Sequence, residues 1–323
     1  MKYSGIGGQA VMEGIMMKNQ EKYAVAVRMP NREITVEVSD YQGIIHNKKL
    51  RNMPILRGIF SFIESLALGI RSLTYSASFF EEESGDGKKD GEPVTEEEHS
   101  DTPFSEEERA RQERRAKRKE DAVMGGTVAL SVALAVGIFM ILPYYLSVFF
   151  GRFVESELLL ALFEGVIRLV IFIGYVAGIS LMPDIRRVYM YHGAEHKCIN
   201  CIERGLDLTV ENVRASSKQH KRCGTSFLLL VMLISIVFFM VIRVDSGAGR
   251  LLLRLVLIPV IAGVSYEFIR IAGRSDNAVV NLLSRPGLWL QNLTTREPDD
   301  SMIEVGIEAL KRVLPEEKGA DTW

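Results

Sequence analysis

The strongest constraint on this chain is an uninterrupted run of 29 residues, Ala122–Phe150, that carries no charge. A helix needs about 20 mainly apolar residues to cross the hydrocarbon core of a bilayer. A buried helix of a large soluble protein is the alternative, but an uncharged helix of this length is improbable there. The run therefore predicts a membrane span.

Three further apolar runs raise the predicted number of spans to four. They are Leu158–Met182, Ser226–Ile242 and Leu251–Ile269. Residues 1–30 contain no uninterrupted apolar core of the kind that a signal peptide has. The chain is therefore expected to be a mainly α-helical, four-span membrane protein with a small N-terminal α+β region.

The basic residues beside these runs predict the orientation of the spans. Seven basic residues lie in Arg109–Lys119, just before the first span, and eight lie in the segment 183–225. The connection 151–157 has only Arg152. Because basic loops stay in the cytoplasm, both termini and the segment 183–225 are expected there, with the chain in the cell inner (cytoplasmic) membrane.

Composition along the chain predicts six segments. They are a cytoplasmic β-hairpin region with an amphipathic interfacial helix (1–80), a disordered charged linker (81–121), the first two spans (122–182), a cytoplasmic metal-binding loop (183–225), the last two spans (226–271) and a cytoplasmic tail with an amphipathic helix (272–323). The linker is inferred from 13 acidic and 2 basic residues between Glu81 and Glu108, because so polar a stretch cannot bury a core.

Local patterns predict elements within the N-terminal region. Alternating apolar residues in Lys22–Met29 and Glu33–Asp40 indicate a β-hairpin, and the stretch 7–17 is a candidate for the same sheet. Apolar residues at helical spacing in 55–77 indicate a helix. That helix either packs in a core or lies on the cytoplasmic leaflet of the membrane.

Polar residues at helical spacing predict three side-chain pairs. They are Glu164 with Arg168, Glu267 with Arg270, and Ser301 with Glu304. The first two pairs would neutralise charges inside the spans, where an unpaired charge is costly. The third is a capping box at the start of the helix in the tail.

One cytoplasmic stretch concentrates side chains that bind metals. Residues 191–201 read YHGAEHKCINC. His192 and His196 are four residues apart, so they project from one side of a helix and can bind the same ion. The string H-x-x-E-H is also the inverted form of a zinc-protease motif, in which the glutamate, here Glu195, activates water.

Further candidate ligands follow in the same segment. His220 and Cys223 have the H-x-x-C spacing that could complete a tetrahedral zinc site with the two histidines. Cys198 and Cys201 form a C-x-x-C whose role the sequence leaves open, although a disulfide is disfavoured in the cytoplasm. The alternative to a metal site is a set of histidines that are only hydrogen-bonded loop residues.

Four long motifs in this chain resemble the DUF1385 family of bacterial, YqhQ-like multi-pass membrane proteins. The motifs are GGQAVMEGIMM (7–17), YHGAEHK (191–197), HKRCGTSF (220–227) and GLWLQNLTTREPDD (287–300). The resemblance extends over nearly the whole chain except the linker. It implies a multi-pass topology and a metal-dependent enzyme to which no reaction is assigned.

The residues of the metal pattern lie in matching motif positions: His192, Glu195, His196, His220 and Cys223. Cys198 departs from the threonine expected at its position, which weakens its claim to be a ligand. Glu13 lies in the first motif, within an otherwise apolar stretch. It is either a solvated turn residue or a functional carboxylate.

Two functional classes fit these residues. In a membrane-bound zinc hydrolase, His192, His196 and one of His220 or Cys223 would hold Zn²⁺, and Glu195 would be the general base. In a scaffold or assembly factor, all four metal residues would close a structural zinc site and form a platform for a protein partner. A closed site cannot activate water, so the number of ligands distinguishes the hydrolase from the scaffold. The lipid bilayer is the expected partner in both, and no sequence-specific nucleic-acid binding is expected.

Overall fold

A computed structural model describes the chain in seven stretches: residues 4–43, 53–84, 106–154, 156–242, 244, 246–275 and 277–315. These residues form two compact units. One unit contains the described residues up to Ser84 together with those from Phe172 onward, and the other contains the described residues between them. The predicted linker falls largely on 85–105, outside the described residues, while its basic end is helical from Glu106.

The N-terminal strands form a four-stranded antiparallel sheet in the order β1-β2-β3-β4. Their bounds are β1 Gly7–Val11, β2 Gly14–Asn19, β3 Lys22–Arg28 and β4 Ile34–Asp40. Lys22 pairs with Asp40 and Arg28 pairs with Ile34, so the predicted hairpin is confirmed. The stretch 7–17 also enters this sheet, where it supplies the first strand and part of the second.

Ten α-helices follow the sheet in the part of the chain that the structure describes. They are α1 Leu56–Ser84, α2 Glu106–Val136, α3 Leu142–Phe150, α4 Glu157–Ile179, α5 Pro183–Glu203, α6 Val210–Ala215, α7 Gly224–Val241, α8 Gly247–Ala272, α9 Ala278–Thr294 and α10 Asp300–Val313. A π-helical turn, Gly137–Ile141, joins α2 to α3, and a 3₁₀ turn, Gly151–Phe153, follows α3. The described residues are thus mainly helical, as predicted.

Four helical segments are long and apolar enough to cross a bilayer. They are Gly125–Phe153, Glu157–Ile179, Gly224–Val241 and Leu252–Ala272. Each overlaps one of the predicted runs, so four apolar helices are confirmed among the described residues. Many of their large apolar side chains are exposed, which suits helices that face lipid rather than water.

Two charges within the second of these helices neutralise each other, as predicted. Arg168 Nη2 lies 2.9 Å from Glu164 Oε1, and both side chains are buried. Arg168 Nε also donates to the carbonyl of Phe139 at 2.9 Å, and Ser147 Oγ donates to Glu164 Oε2 at 3.4 Å. These hydrogen bonds lower the cost of burying both charges.

The second predicted pair is replaced by a different one. The Glu267 carboxylate binds the guanidinium of Arg57, with 2.6 Å between Arg57 Nε and Glu267 Oε1, rather than pairing with Arg270. Arg57 belongs to α1, which packs against α8 where Gly58 faces Gly263. Because glycines let two helices approach closely, α1 brings its arginine within reach of the glutamate.

Helix α1 combines features of both predicted alternatives. One side packs against α8 and the sheet, where Ser76 Oγ accepts a hydrogen bond from Met12 N at 3.2 Å. The other side exposes an apolar stripe at helical spacing: Ile63, Leu66, Ile70 and Leu73. A core helix would bury that stripe, whereas an interfacial helix would present it to the membrane.

The N-terminal sheet packs on both of its faces. Successive strand residues point to opposite faces of a sheet. Ile15 and Met17 accordingly join a core formed with α5 and α10, whereas Met16 joins a smaller cluster that includes Leu68 of α1. The first of these cores therefore supports α5, the helix that carries the predicted histidines.

Helix α10 begins differently from the predicted capping box. Asp299, rather than Ser301, caps the helix by accepting a hydrogen bond from Met302 N at 3.0 Å. Ser301 Oγ donates to the same carboxylate at 2.6 Å, and Glu304 forms an ion pair with Arg28 at 2.8 Å. Aspartate and serine are both good caps. Asp299, two residues before Ser301, takes this role because the helix begins at Asp300.

Candidate metal centre

Helix α5 carries two of the predicted ligands on one side. Pro183 and Asp184 in its first turn favour a helix N-terminus. His192 and His196 lie one turn apart, with ring centroids separated by 4.4 Å. The neighbouring Tyr191 is buried in the core beneath the sheet. This anchor fixes the rotation of α5 about its axis and so the direction in which the two imidazoles project.

Cys223 brings a third donor atom to the two histidines. It directly precedes α7, and its Sγ lies 3.3 Å from His192 Nε2. One donor atom from each of His192, His196 and Cys223 lies within 4.8 Å of the others. His196 is 1% exposed and Cys223 is 3% exposed. Nitrogen and sulfur donors that converge in this way are the ligands that Zn²⁺ prefers.

Backbone carbonyls place a proton on Nδ1 of both imidazoles. His192 Nδ1 lies 2.8 Å from the carbonyl oxygen of Thr294, and His196 Nδ1 lies 2.6 Å from that of Lys218. A carbonyl only accepts hydrogen bonds, so each Nδ1 must carry the proton. In a neutral imidazole the Nε2 atom then keeps its lone pair, as in metal-binding histidines whose other nitrogen bonds a carbonyl.

Side chains of α5 hold the loop that returns to the histidines. Lys197 Nζ donates to the carbonyls of Arg214 and Ser216 at 2.8 and 2.9 Å. Asn200 Nδ2 donates to the carbonyl of Ser217 at 2.7 Å. These bonds keep the loop close to α5 and position the carbonyl that the second histidine uses.

The structure separates His220 from the three convergent donors. The side chain of Gln291, on α9, makes two hydrogen bonds to the His220 backbone: it donates to His220 O at 2.8 Å and accepts from His220 N at 2.9 Å. The His220 side chain faces Glu203, with 3.4 Å between Nε2 and Oε2, and Glu203 also binds Arg222. The rings of His196 and His220 are 5.7 Å apart. His220 thus lies beside the cluster but directs its ring nitrogen toward a carboxylate.

Glu195, the predicted general base, lies in the same helix beside the histidines. It is 5% exposed, and its Oε2 has no hydrogen-bond partner among the described residues. Gly8 of β1 packs against it, since a side-chain carbon there would lie 2.8 Å from Glu195 Cγ. Burial raises the pKa of Glu195, and the nearby His192 and His196 offset this only in part. A buried carboxylate oxygen without a partner calls for an ion or a water.

Electrostatics favour an ionised thiol in this cluster. Burial alone would raise the pKa of Cys223, but His192 and His196 hold it well below its usual range. Burial alone would lower the pKa of His192, but the charge on Cys223 raises it to about 9. The pair therefore shares a thiolate and a positive charge, and the thiolate is the form of cysteine that binds metals.

The two cysteines of the C-x-x-C lie apart from this cluster. Cys198 packs against α10, where a side-chain carbon at Gly306 would lie 2.8 Å from its Sγ. Cys201 Sγ donates to the carbonyl of Asp207 at 3.5 Å, just beyond the end of α5. Burial raises the pKa of both thiols. Cys198 therefore packs in the core, and Cys201 hydrogen-bonds the backbone just beyond the end of α5.

Glu13, whose role the sequence left open, joins the β1–β2 turn to α5. Its backbone has a φ of 48°, in the left-handed region. Its carboxylate binds the Arg187 guanidinium and accepts a hydrogen bond from the Tyr191 hydroxyl at 3.2 Å. Glu13 is thus a docking residue between sheet and helix.

Several residues around the cluster have no local sequence pattern that indicates a role there. Thr225 Oγ1 lies 3.1 Å from Cys223 Sγ and 3.2 Å from Thr294 Oγ1. Thr294 also supplies the carbonyl for His192, and Gln291 fixes the turn nearby. Their only sequence signal was their place in the long motifs, because nothing local indicates which distant residue they contact.

Comparison with known proteins gives a family without an assigned activity. The family described as "Protein of unknown function (DUF1385)" matches residues 53–316, a range that includes the three donors and Glu195. The uncharacterized protein YqhQ of Bacillus subtilis (strain 168) is 34% identical over 312 residues, which cover 95% of this chain and 92% of that protein. No solved structure matches the chain.

Proposed function

The chain belongs to the DUF1385 family, and from the geometry of its donors we propose that it is a metal-dependent hydrolase, held in a membrane by its four apolar helices. The family description names no reaction. Function must therefore be argued from the site rather than from the fold.

The donor set suits a zinc ion. His192, His196 and Cys223 supply two nitrogens and one sulfur, and both imidazoles have Nδ1 committed to carbonyls. Borderline-soft Zn²⁺ favours such mixed donors, whereas Mg²⁺ and Ca²⁺ favour oxygens. The unbonded Oε2 of Glu195 lies beside these donors and fits the same conclusion.

The observation that carries the hydrolase proposal is the number of converging donors. Three protein donors, as in catalytic zinc sites, leave a coordination position open, whereas structural sites usually have four. The fourth residue that a closed site would need is His220, and its side chain faces Glu203 instead. Three donors with a buried carboxylate beside them therefore favour a catalytic role.

In this proposal the protein residues have distinct tasks. His192, His196 and Cys223 would hold Zn²⁺, which supplies Lewis acidity when bound. Glu195 would accept a proton from the attacking water at its unbonded Oε2 and then pass it to the leaving group. Gly8 packs against the Glu195 side chain, which is buried.

Replacement of Glu195 by glutamine tests this assignment. We expect purified Glu195→Gln protein in detergent to retain zinc, because a general base is not a ligand. Its hydrolysis of chromogenic phosphate and carboxylate esters should fall by about 100- to 10,000-fold, the range for loss of an acid–base group. Zinc is measured by elemental analysis and hydrolysis by absorbance.

The matched control for this variant is Glu211→Gln, which makes the same chemical change at an exposed position of α6. It should leave both readouts unchanged. If zinc-loaded Glu195→Gln protein hydrolysed the esters at the rate of the unaltered chain, Glu195 would not be the general base.

A structural metal site in a scaffold protein is the second candidate. The near-complete burial of His196 and Cys223 favours it, because a catalytic centre needs a path for substrate. In that case Glu195→Gln should alter neither zinc content nor capture of a protein partner. The same variant therefore separates the two candidates.

We further propose that the metal centre faces the cytoplasm, on the basis of the basic residues in the segment 183–225. Single cysteines at two exposed positions test this, Ser156→Cys between α4 and the preceding helix and Asp207→Cys after α5. A membrane-impermeant maleimide added to intact cells should label position 156 and spare position 207 until the cells are broken. Labelling of position 207 from outside would reverse the orientation.

A further inference from the structure

Helix α9, Ala278–Thr294, carries an apolar stripe on one side. Four of its large apolar side chains are between 51% and 62% exposed within the part of the chain that the structure describes: Val279, Leu282, Leu283 and Trp289. Pro286 is exposed between them. Their spacing of three to four residues places them on one side of the helix. Single exposed apolar residues are ordinary on protein surfaces, but a continuous stripe marks a binding surface.

The stripe lies between a polar side and a packed side of the same helix. At about 100° per residue, the exposed Arg285 and Asn292 fall next to the stripe on one side. The buried residues of the helix fall on the other side: Gly287, Leu290, Gln291 and Thr294. A helix with polar, apolar and packed faces in this order suits the boundary between a membrane and water.

The packed side fixes the level of α9 against a candidate span. Gly287 lies so close to α7 that a side-chain carbon at this position would lie 2.8 Å from Ser226 Cβ. Gln291 Nε2 donates a hydrogen bond to Ser226 Oγ at 2.7 Å. The candidate span in α7 begins at Gly224, two residues before Ser226. Helix α9 therefore packs against α7 at the level where that span begins.

The preceding candidate span also holds α9 at this level. That span ends at Ala272, and only residues 273–277 separate it from the start of α9. Leu283 of α9 lines a small cleft together with Leu229 of α7 and Phe268 of α8. The apolar surface of the two spans thus continues onto α9, so both surfaces are expected to meet the same apolar solvent.

A second helix reaches the same level from a distant part of the sequence. The ring of Phe62 in α1 lies 5.6 Å from the ring of Phe227, which follows Ser226 in α7. Helix α1 exposes the apolar stripe already described: Ile63, Leu66, Ile70 and Leu73. Two helices that meet the same turn of α7 therefore both expose apolar side chains. A common apolar medium around that turn accounts for both stripes.

We propose that α9 binds the lipid leaflet in which α7 begins, with its stripe among the acyl chains and Trp289 at their boundary with the headgroups. Tryptophan is favoured at this boundary, and arginine can extend its charge from there to water. A lipid leaflet fits better than a protein partner because the stripe is continuous with the apolar spans. The proposal rests on membrane insertion of α7 and α8, but not on a metal or on hydrolysis.

This placement also sets the depth of the candidate metal centre. The packed side of α9 ends at Thr294, whose carbonyl oxygen lies 2.8 Å from His192 Nδ1. Thr294 is five residues after Trp289, about 7.5 Å along a helix. The converging donors therefore lie close to the lipid headgroups rather than far out in the water phase.

Tryptophan fluorescence tests the proposal, because the chain has two tryptophans, Trp289 and Trp323. In full-length Trp323→Phe protein, Trp289 is the only indole. This protein is reconstituted into phosphatidylcholine vesicles whose acyl chains carry bromine either near the headgroup or near the chain end. We expect most of the Trp289 emission to be lost with bromine near the headgroup, and less of it with bromine near the chain end. Water-soluble acrylamide should quench the emission weakly.

Three results would overturn the proposal. Emission of Trp289 that acrylamide quenches and brominated lipid does not would show that α9 faces water. Emission that neither quencher affects would show that another protein surface covers the stripe. Strongest quenching by bromine near the chain end would place α9 in the middle of the bilayer instead of at its boundary.

Two single-tryptophan controls calibrate the depth, both in a Trp289→Phe, Trp323→Phe background. Val237→Trp places the indole at an exposed position of α7, 13 residues after Gly224, which is about 20 Å along the helix in a hydrocarbon core of ~30 Å. Bromine near the chain end should quench it most. Arg312→Trp places the indole at an exposed position of α10, the helix that packs on the sheet and α5, and only acrylamide should quench it.

These controls also separate two ways in which the proposal can fail. Lipid quenching at position 237 but not at 289 would refute lipid binding by α9 alone. Absence of lipid quenching at both positions would refute the membrane insertion on which the proposal rests.

A change within the stripe provides an independent arm. In the Trp323→Phe background, Leu282→Glu places a charge in the stripe, where contact with acyl chains is costly. Lipid quenching of Trp289 should decrease and acrylamide quenching should increase. Arg285→Gln is the control on the polar side of α9, and it should leave both readouts unchanged. Unaltered lipid quenching in folded Leu282→Glu protein, checked by thermal melting, would contradict the assignment of the stripe to lipid.

Discussion

Alanine at His192 or His196 is expected to remove bound zinc from the protein. Purified unaltered chain should contain about one zinc per polypeptide, and either variant should contain almost none after dialysis. Loss of one donor leaves only two of the three that converge within 4.8 Å. The loss in affinity should exceed the about 10- to 100-fold caused by removal of an outer hydrogen bond. Elemental analysis together with a competition titration against a chelator measures both quantities.

The matched control is His220→Ala, which removes an imidazole whose nitrogen faces Glu203. This variant should keep its zinc, because the side chain is not one of the three donors. Zinc loss in a folded His220→Ala protein would indicate four ligands and a closed, structural site. Unaltered protein that binds no zinc or related metal would falsify both the hydrolase and the structural-metal candidates.

Alanine at Gly193, between the two histidines, is expected to have the second-largest effect. A methyl group at this position would overlap the carbonyl oxygen of Arg296, which lies against α5. Backbone atoms cannot move aside as a flexible side chain can, so the segment that contains Arg296 must shift. That segment begins at Thr294, whose carbonyl fixes His192. We expect a loss of about 3 kcal/mol in stability, the upper range for overpacking, and weaker zinc binding.

Gly224→Ala is the control for this variant. Gly224 is the residue after Cys223, and a side-chain carbon there would meet no atom within 4 Å. Thermal melting and zinc content should match those of the unaltered chain. If Gly193→Ala were as stable as Gly224→Ala, the close contact between α5 and the Arg296 carbonyl would not be required for stability.

The apolar helices and the hairpin could be predicted because their signals are local. A run of 29 uncharged residues at Ala122–Phe150 leaves few alternatives to a span. Glu164 and Arg168 could be paired from their spacing alone, since residues four apart on a helix meet. Likewise, His192 and His196 share one side of α5 because of helical periodicity.

Interactions between distant residues could not be predicted in this way. His220 and Cys223 are close in sequence, yet of the two only Cys223 places a donor atom together with those of His192 and His196. Gln291 binds the backbone of His220 from 71 positions away and sets the direction of its turn. Glu267 likewise binds Arg57, which is 210 positions away, rather than Arg270 on its own helix. Spacing within a motif contains no information about such partners.

The arrangement of the core around α5 has a consequence for biosynthesis. Ile15 and Met17 on β2 are made early, whereas Met302 and Leu310 on α10 are made late, and all four are buried in the core that supports α5. The ribosome must translate both of the last two candidate spans after α5 and before α10 emerges. Until then the part of the sheet face that α10 covers stays exposed on the nascent chain and prone to aggregation. Protection of the early strands during synthesis is therefore expected to raise the yield of folded protein.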